Sequence, residues 1–204
     1  MKLIPTLIAA AAALAATAAS AQVTGAVGGL DDSSNFLALS STNVSGGAIY
    51  MDTQTFPSTA ARPGNSAPLI VTVGNWVAAG PTNSNNGGGD ATLTLAAGIT
   101  YVSFLWGSPD GYNTLTVNTD AGSSSFTAGG LGILPVAGSQ IQANYVNFTP
   151  MGAATAITSL VFSSPRTNAF EISNVTAVPE PGTYALMLAG LGALGFMAKR
   201  RKQA

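Results

Sequence analysis

The chain has 204 residues and a formal net charge of −1, with only 7% of its residues charged against a usual ~25%, so neutral hydroxyls, amides and backbone must cover most of its surface. It contains no His and no Cys, which excludes disulfide frameworks, thiol nucleophiles, Cys/His zinc sites and histidine general bases. Five of the seven bases are Lys2, Lys199, Arg200, Arg201 and Lys202, near the two ends, leaving Arg62 and Arg166 against Asp31, Asp32, Asp52, Asp90, Asp110, Asp120 and Glu171 between them. That middle is acidic, and nucleic acid is excluded as a partner because backbone binding needs clustered Lys and Arg.

In chain order, "MKLIPTLIAAAAALAATAASAQ" places one base, Lys2, before an apolar stretch and ends it with small residues at Ala19 and Ala21. This is the layout of a secretory signal peptide, and cleavage after Ala21 by signal peptidase is expected, with residues 1–21 removed. Asp31 and Asp32 follow. Adjacent carboxylates near the start of a β-rich body could join a calcium site with backbone carbonyls, although no loop signature frames them. No other cofactor is expected.

Residues 22–177 read as β structure. "ATLTLA" from Ala91, "ITYVSFLWGS" from Ile99, "YNTLTVNT" from Tyr112, "IQANYVNFTP" from Ile141, "ITSLVFSS" from Ile157 and "NAFEISNV" from Asn168 are short runs rich in β-branched and aromatic residues. Leu115 and Val117 alternate with Thr114 and Thr116, and Phe170 and Ile172 alternate with Ala169, Glu171 and Ser173, as half-buried strands require. Turn-formers divide the runs: "NSNNGGGD" from Asn83, "SPDG" from Ser108 and "TDAGS" from Thr119. Short strands without intervening helices predict a single all-β domain, an antiparallel β-sandwich of jelly-roll type.

Within this body, Trp106 and Tyr112 read as core and turn residues of one hairpin, with a sugar-stacking platform as the sharper alternative. Asp110 and Glu171 are the carboxylates to weigh for a glycosidase pair, which needs two acids ~5–10 Å apart across a cleft. No motif frames either of them, so they read as turn or surface carboxylates and no catalytic residue is assigned.

The end of the chain carries the strongest pattern. Pro179 and Pro181 lack amide donors and restrict the residues before them, which holds Glu180 in an extended turn. Residues 183–198 carry no charge; as a helix they would measure ~24 Å, a marginal membrane span. Lys199, Arg200, Arg201 and Lys202 then follow, and the positive-inside rule keeps them in the cytoplasm with the body translocated.

This tripartite tail, Val178-Pro179-Glu180-Pro181, an apolar span and a basic cluster, closely resembles the PEP-CTERM sorting signal of exosortase substrates. The resemblance implies cutting near Glu180 by an exosortase-type membrane peptidase and delivery of the body to the cell surface or the extracellular polymer. The chain would be a single-pass precursor divided into residues 1–21, 22–177 and 178–204. "SFLWGSPDGYNTLTV" and "ITSLVFSSPRTNAFEISNVTAVPEP" also look like elements of a recurrent class of PEP-CTERM surface proteins, departing from it at Ser173, where an acidic residue is expected. The same tail occurs on proteins described as ice-binding, but the pairs Thr92/Thr94 and Thr114/Thr116 recur without the fixed period that a flat threonine array needs. The expected function is therefore a noncatalytic surface or matrix protein associated with extracellular polysaccharide, its rival a secreted glycan hydrolase.

Overall fold

The computed structural model describes residues 22–30, 35–51, 55–57, 69–71, 74–81, 88–107, 109–133, 143–152, 154–165 and 170–179, with Gly182 and Leu191. In chain order the strands are β1 Gln22–Val27, β2 Val44–Tyr50, β3 Thr55–Pro57, β4 Leu69–Val71, β5 Trp76–Ala79, β6 Gly88–Gly107, β7 Thr114–Thr119, β8 Gly122–Thr127, β9 Ala143–Met151, β10 Ile157–Ser163 and β11 Phe170–Pro179. Nine of them form one antiparallel sheet, and β3 pairs only with β4. The all-β antiparallel expectation holds. Hydrogen bonding joins the nine strands continuously, so the pairing does not by itself separate two sandwich sheets. No helix among the described residues is long and apolar enough to cross a membrane; of the expected span, only Leu191 is described.

Strand β6 organises the sheet. The runs from Ala91 and from Ile99, which read as two strands, are two halves of this one strand of 20 residues. Its first half pairs with β2 (Val44↔Leu93) and β10 (Leu160↔Leu93), its second with β9 (Phe104↔Val146) and β11 (Ile172↔Trp106). The change of neighbours happens at residues 95–98. There β10 advances from Ile157, opposite Ile99, to Ser159, opposite Thr94, a bulge that accommodates the extra β6 residues. Gly98, with φ 75°, supplies a backbone conformation that a side chain would oppose.

One apolar cluster results. Ala91 and Leu93 from the first half of β6 meet Val102, Phe104 and Trp106 from the second, and all five have no exposed surface. The aromatic rings pack at specific angles: Trp106 stacks on Phe170 at 4.3 Å, and Phe104 meets Phe162 edge-on at 5.4 Å. These are favoured ring geometries and add to the area term. Strand β1 closes against this cluster at Gly25, where a Cβ would come within 2.7 Å of the Phe148 ring. A side chain there would force the strand away.

Register also sets the two ends of the sheet. Gln22 pairs with Met151, and Pro179 pairs with Ile99. Continuing the β6–β9 register from Val102↔Phe148 by three residues puts Met151 level with Ile99. The chain therefore enters and leaves the sheet at one pole, while Gly107, Glu171 and Ala143 share a row at the other.

A body of residues 22–179 should be soluble and give a β-type circular dichroism spectrum; dominant helix would refute the fold. Trp106→Ala should lower its stability by about 3–5 kcal/mol in a denaturant titration, through lost transfer free energy and an unfilled cavity.

Candidate functional site

Three features could carry function: a hydroxyl-bearing face, a buried acid pair and the end of β11. The face follows from the alternation that builds the core. Leu115, Val117, Leu160 and Phe162 point inward, so their neighbours Thr114, Thr116, Ser159 and Ser163 lie on the opposite side of the same strands. Pairing then sets Ser45, Thr92, Val161, Thr116 and Ser125 in one cross-strand row, and Thr94, Ser159, Asn118 and Ser123 in the next. Rows lie two residues apart along each strand, and neighbouring strands lie ~4.8 Å apart, which gives a two-dimensional grid of short side chains, polar except for Val161. Some hydroxyls bond within the grid: Thr116 Oγ1 lies 3.1 Å from Ser125 Oγ, and Asn118 Nδ2 donates to Ser159 Oγ at 2.9 Å. The face carries no charge across these two rows. The threonine pairs lack a period in sequence, yet the sheet sets Thr92 and Thr116 on either side of Val161.

The acid pair sits at the pole away from the chain exits. Glu171 lies in a row between Ala78 and Gly107, and Asp110 follows the end of β6. The structure brings these two weighed carboxylates close enough for the Asp110 charge to act on Glu171. Burial pushes the Glu171 carboxyl up to about 8; a hydrogen bond from its own amide opposes the rise, and the Asp110 charge adds to it. Glu171 Oε2 is buried and has no hydrogen-bond partner. Asp110 is 5% exposed and accepts from Tyr112 Oη at 2.8 Å. Glu171 is thus a neutral acid at pH 7, and Asp110 is fastened by the tyrosine in its own turn.

Trp106 is a core residue. Its ring has no exposed surface and lies against Phe170, so it offers no face to a sugar. Tyr112 is half-buried in the turn. A different aromatic pair, unmarked in the sequence reading, stands across β2 and β5: Tyr50 and Trp76 are register partners whose rings stack at 4.3 Å. The only sign of it in sequence is one aromatic residue at the end or start of each short apolar run. Among the described residues no three His, Cys, Asp or Glu side chains gather to hold a metal.

Of the expected processing residues, Pro179 is described. It is exposed and ends β11, with Val178 opposite Tyr101 and Ala177 opposite Val102. Ala19, Ala21, Asp31, Asp32, Glu180, Pro181, Lys199, Arg200, Arg201 and Lys202 lie outside the described residues.

The acid pair predicts a pH dependence of stability. A carboxyl at about 8 in the fold and 4.5 ordinarily binds its proton more tightly when folded. Its contribution is complete below about pH 4.5 and is lost as pH rises through 8, a fall of roughly 3–5 kcal/mol over that window. Denaturant titrations of the body should show stability dropping between pH 5 and 8. Glu171→Gln, which keeps the shape of the neutral acid, should flatten the profile; a wild-type profile already flat over this range would show that Glu171 is ionised in the fold.

No curated protein and no solved structure matches the chain. A family comparison matches residues 177–202 to the PEP-CTERM protein-sorting motif, beginning inside β11 at Ala177. That motif implies processing by an exosortase, a membrane peptidase, and export to the surface or beyond. Residues 177–202 of the chain carry a PEP-CTERM protein-sorting motif.

Proposed function

We propose that this chain is a noncatalytic surface or extracellular-matrix protein whose β body, a jelly-roll-like sandwich, associates with extracellular polysaccharide after exosortase sorting. The observation that carries the reading is the sorting motif running directly out of the last strand of a folded body. In the precursor, residues 183–198 anchor the chain as a single membrane pass, and Lys199, Arg200, Arg201 and Lys202 oppose translocation of its end. Signal peptidase removes residues 1–21, leaving Gln22 first.

The hydroxyl face supports the polysaccharide partner. Neutral sugars offer hydroxyl donors and acceptors at regular spacing, and a grid of Ser, Thr and Asn around Val161 can exchange its water for them without the cost of desolvating charge. Such exchange is nearly balanced, so the affinity is weak for one chain and grows with the number of contacts along a polymer. The rival reading, a secreted glycan hydrolase, draws on the closeness of Asp110 and Glu171. It is disfavoured by the burial of Asp110 and of Glu171 Oε2, because a glycosidase needs both acids lining a cleft that admits the sugar.

Affinity electrophoresis of the body in a gel containing a neutral glucan should show weak retardation. Thr92→Glu with Ser159→Glu should abolish it while the circular dichroism spectrum is kept; equal mobility with and without glucan would remove the polysaccharide partner. For sorting, intact mass from cells with an exosortase should lack the tail beyond the motif, and cells without one should accumulate it. A tail retained in both would replace sorting by permanent anchoring.

A further inference from the structure

We propose that residues 177–179 form a strand end that must leave the sheet before the sorting motif can be cut, so that the β6–β11 pairing sets the rate of processing. This rests on the sorting reading above. The motif match starts at residue 177, yet Ala177, Val178 and Pro179 are hydrogen-bonded strand, paired with Val102, Tyr101 and Ile99. Glu180 is the residue next in sequence to the last of β11.

A peptidase binds its substrate as an extended segment that offers backbone groups to the enzyme, and a stretch already paired to β6 has committed one of its edges. Reach makes the conflict sharper. From Pro179 to Thr183, where the apolar run begins, the chain extends at most ~14 Å. A body of this size has a radius of gyration of about 15 Å, so while folded to Pro179 it sits directly against the membrane and crowds an enzyme working there. Releasing residues 177–179 lengthens the tether by ~10 Å and frees both edges of the segment.

The fold makes this release local. Strand β5 pairs with β11 only through Phe170, Glu171 and Ile172, so among the described residues the backbone of 177–179 pairs with β6 alone, with Ala177 also resting against the core. The register shifts between Ser173 and Thr176 and again between Val178 and Pro179. Ala177 and Val178 are half-buried and Pro179 is exposed, so little apolar surface opens with them. Proline donates no hydrogen bond to the ladder, which weakens the last pair further.

The test uses the full-length precursor in exosortase-containing cells. The chain has no cysteine, so Tyr101→Cys with Val178→Cys can form only one disulfide within a chain, across the register pair. The disulfide-closed precursor should be cut at least ten-fold more slowly than the same precursor after dithiothreitol; equal rates for the two forms would overturn the proposal. A second variant inserts four Gly/Ser residues between Ala177 and Val178, keeping residues 178–181 intact and supplying slack without peeling. It should be cut several-fold faster than wild type, and an unchanged or slower rate would overturn the proposal even if the disulfide fails to close. The bond broken and its acyl acceptor are the same in every variant, so the rates report access. Wild-type precursor left uncut in these cells would overturn the sorting reading and this proposal together, whereas normal wild-type cutting with no effect of either variant would overturn this proposal alone.

Discussion

Strand β6 carries the constraint on which the other strands depend. It satisfies its backbone groups against β2 and β10 along one half and against β9 and β11 along the other. A buried strand leaves no backbone donor or acceptor without cost, so once β6 bends at residues 95–98 the positions of four neighbours follow from the ladder. The bend also brings Leu93 into the same apolar cluster as Val102, Phe104 and Trp106. A straight strand would hold Leu93 and Trp106 ~43 Å apart, too far to share one core in a body of this size.

The chain exits and the acid pair lie at opposite poles, and the distribution of charge follows this division. Only four charged residues are described: Asp90, Asp110, Asp120 and Glu171. Asp120 is the one near the exit pole, in the turn after Thr119, which pairs with Ile157 opposite Ile99. Its carboxylate accepts from the Thr155 hydroxyl and from the amides of Thr155 and Ala156, which hold it below the usual carboxylate range. There it ties the β7–β8 turn to the segment leading into β10. Among the described residues near this pole, Ala96, Ala97, Gly98, Met151 and Gly152 are neutral.

Alternation made part of this fold legible. Leu115 and Val117 against Thr114 and Thr116 read correctly because a period of two survives in an unbroken strand, and Phe170 and Ile172 against Glu171 likewise, but Ser173, expected to face outward, is buried where β11 loses its register. It failed where glycine interrupts the pattern. In β2, Gly46 and Gly47 both take positive φ, so "VSGGAIY" shows no clean alternation although Val44 and Ala48 are buried. In β1, Gly25 occupies an inward position that a period count expects to be apolar and large. Ala97 and Gly98 fell between two strand runs because local sequence cannot distinguish a turn from a bulge whose partner, Ile157, lies some 60 residues away. The sorting tail was legible because its three parts are contiguous. The closeness of Asp110 to Glu171 and the grid joining Thr92 to Thr116 were not, since both depend on pairings between distant segments.

Strand β11 joins these features, and its irregularities determine how far a disturbance at one end can travel. Its first residues are fixed by three interactions at once: Phe170 under Trp106, Ile172 in the core and Glu171 between two paired strands. Among the described residues the backbone of its last three pairs with β6 alone. Between them Asn174 and Val175 depart from regular pairing, with Asn174 at φ 51° and its side-chain amide donating to Tyr145 Oη at 2.9 Å. Leu37 meanwhile donates its amide to the Val175 carbonyl, so a separate segment grips the strand at this irregular stretch. Local openings stop where independent contacts hold the chain, and this grip lies on the core side of residue 177. The aromatic stack can therefore remain intact while the strand beyond Thr176 comes away, which permits one continuous strand to be rigid core at one end and exchangeable substrate at the other.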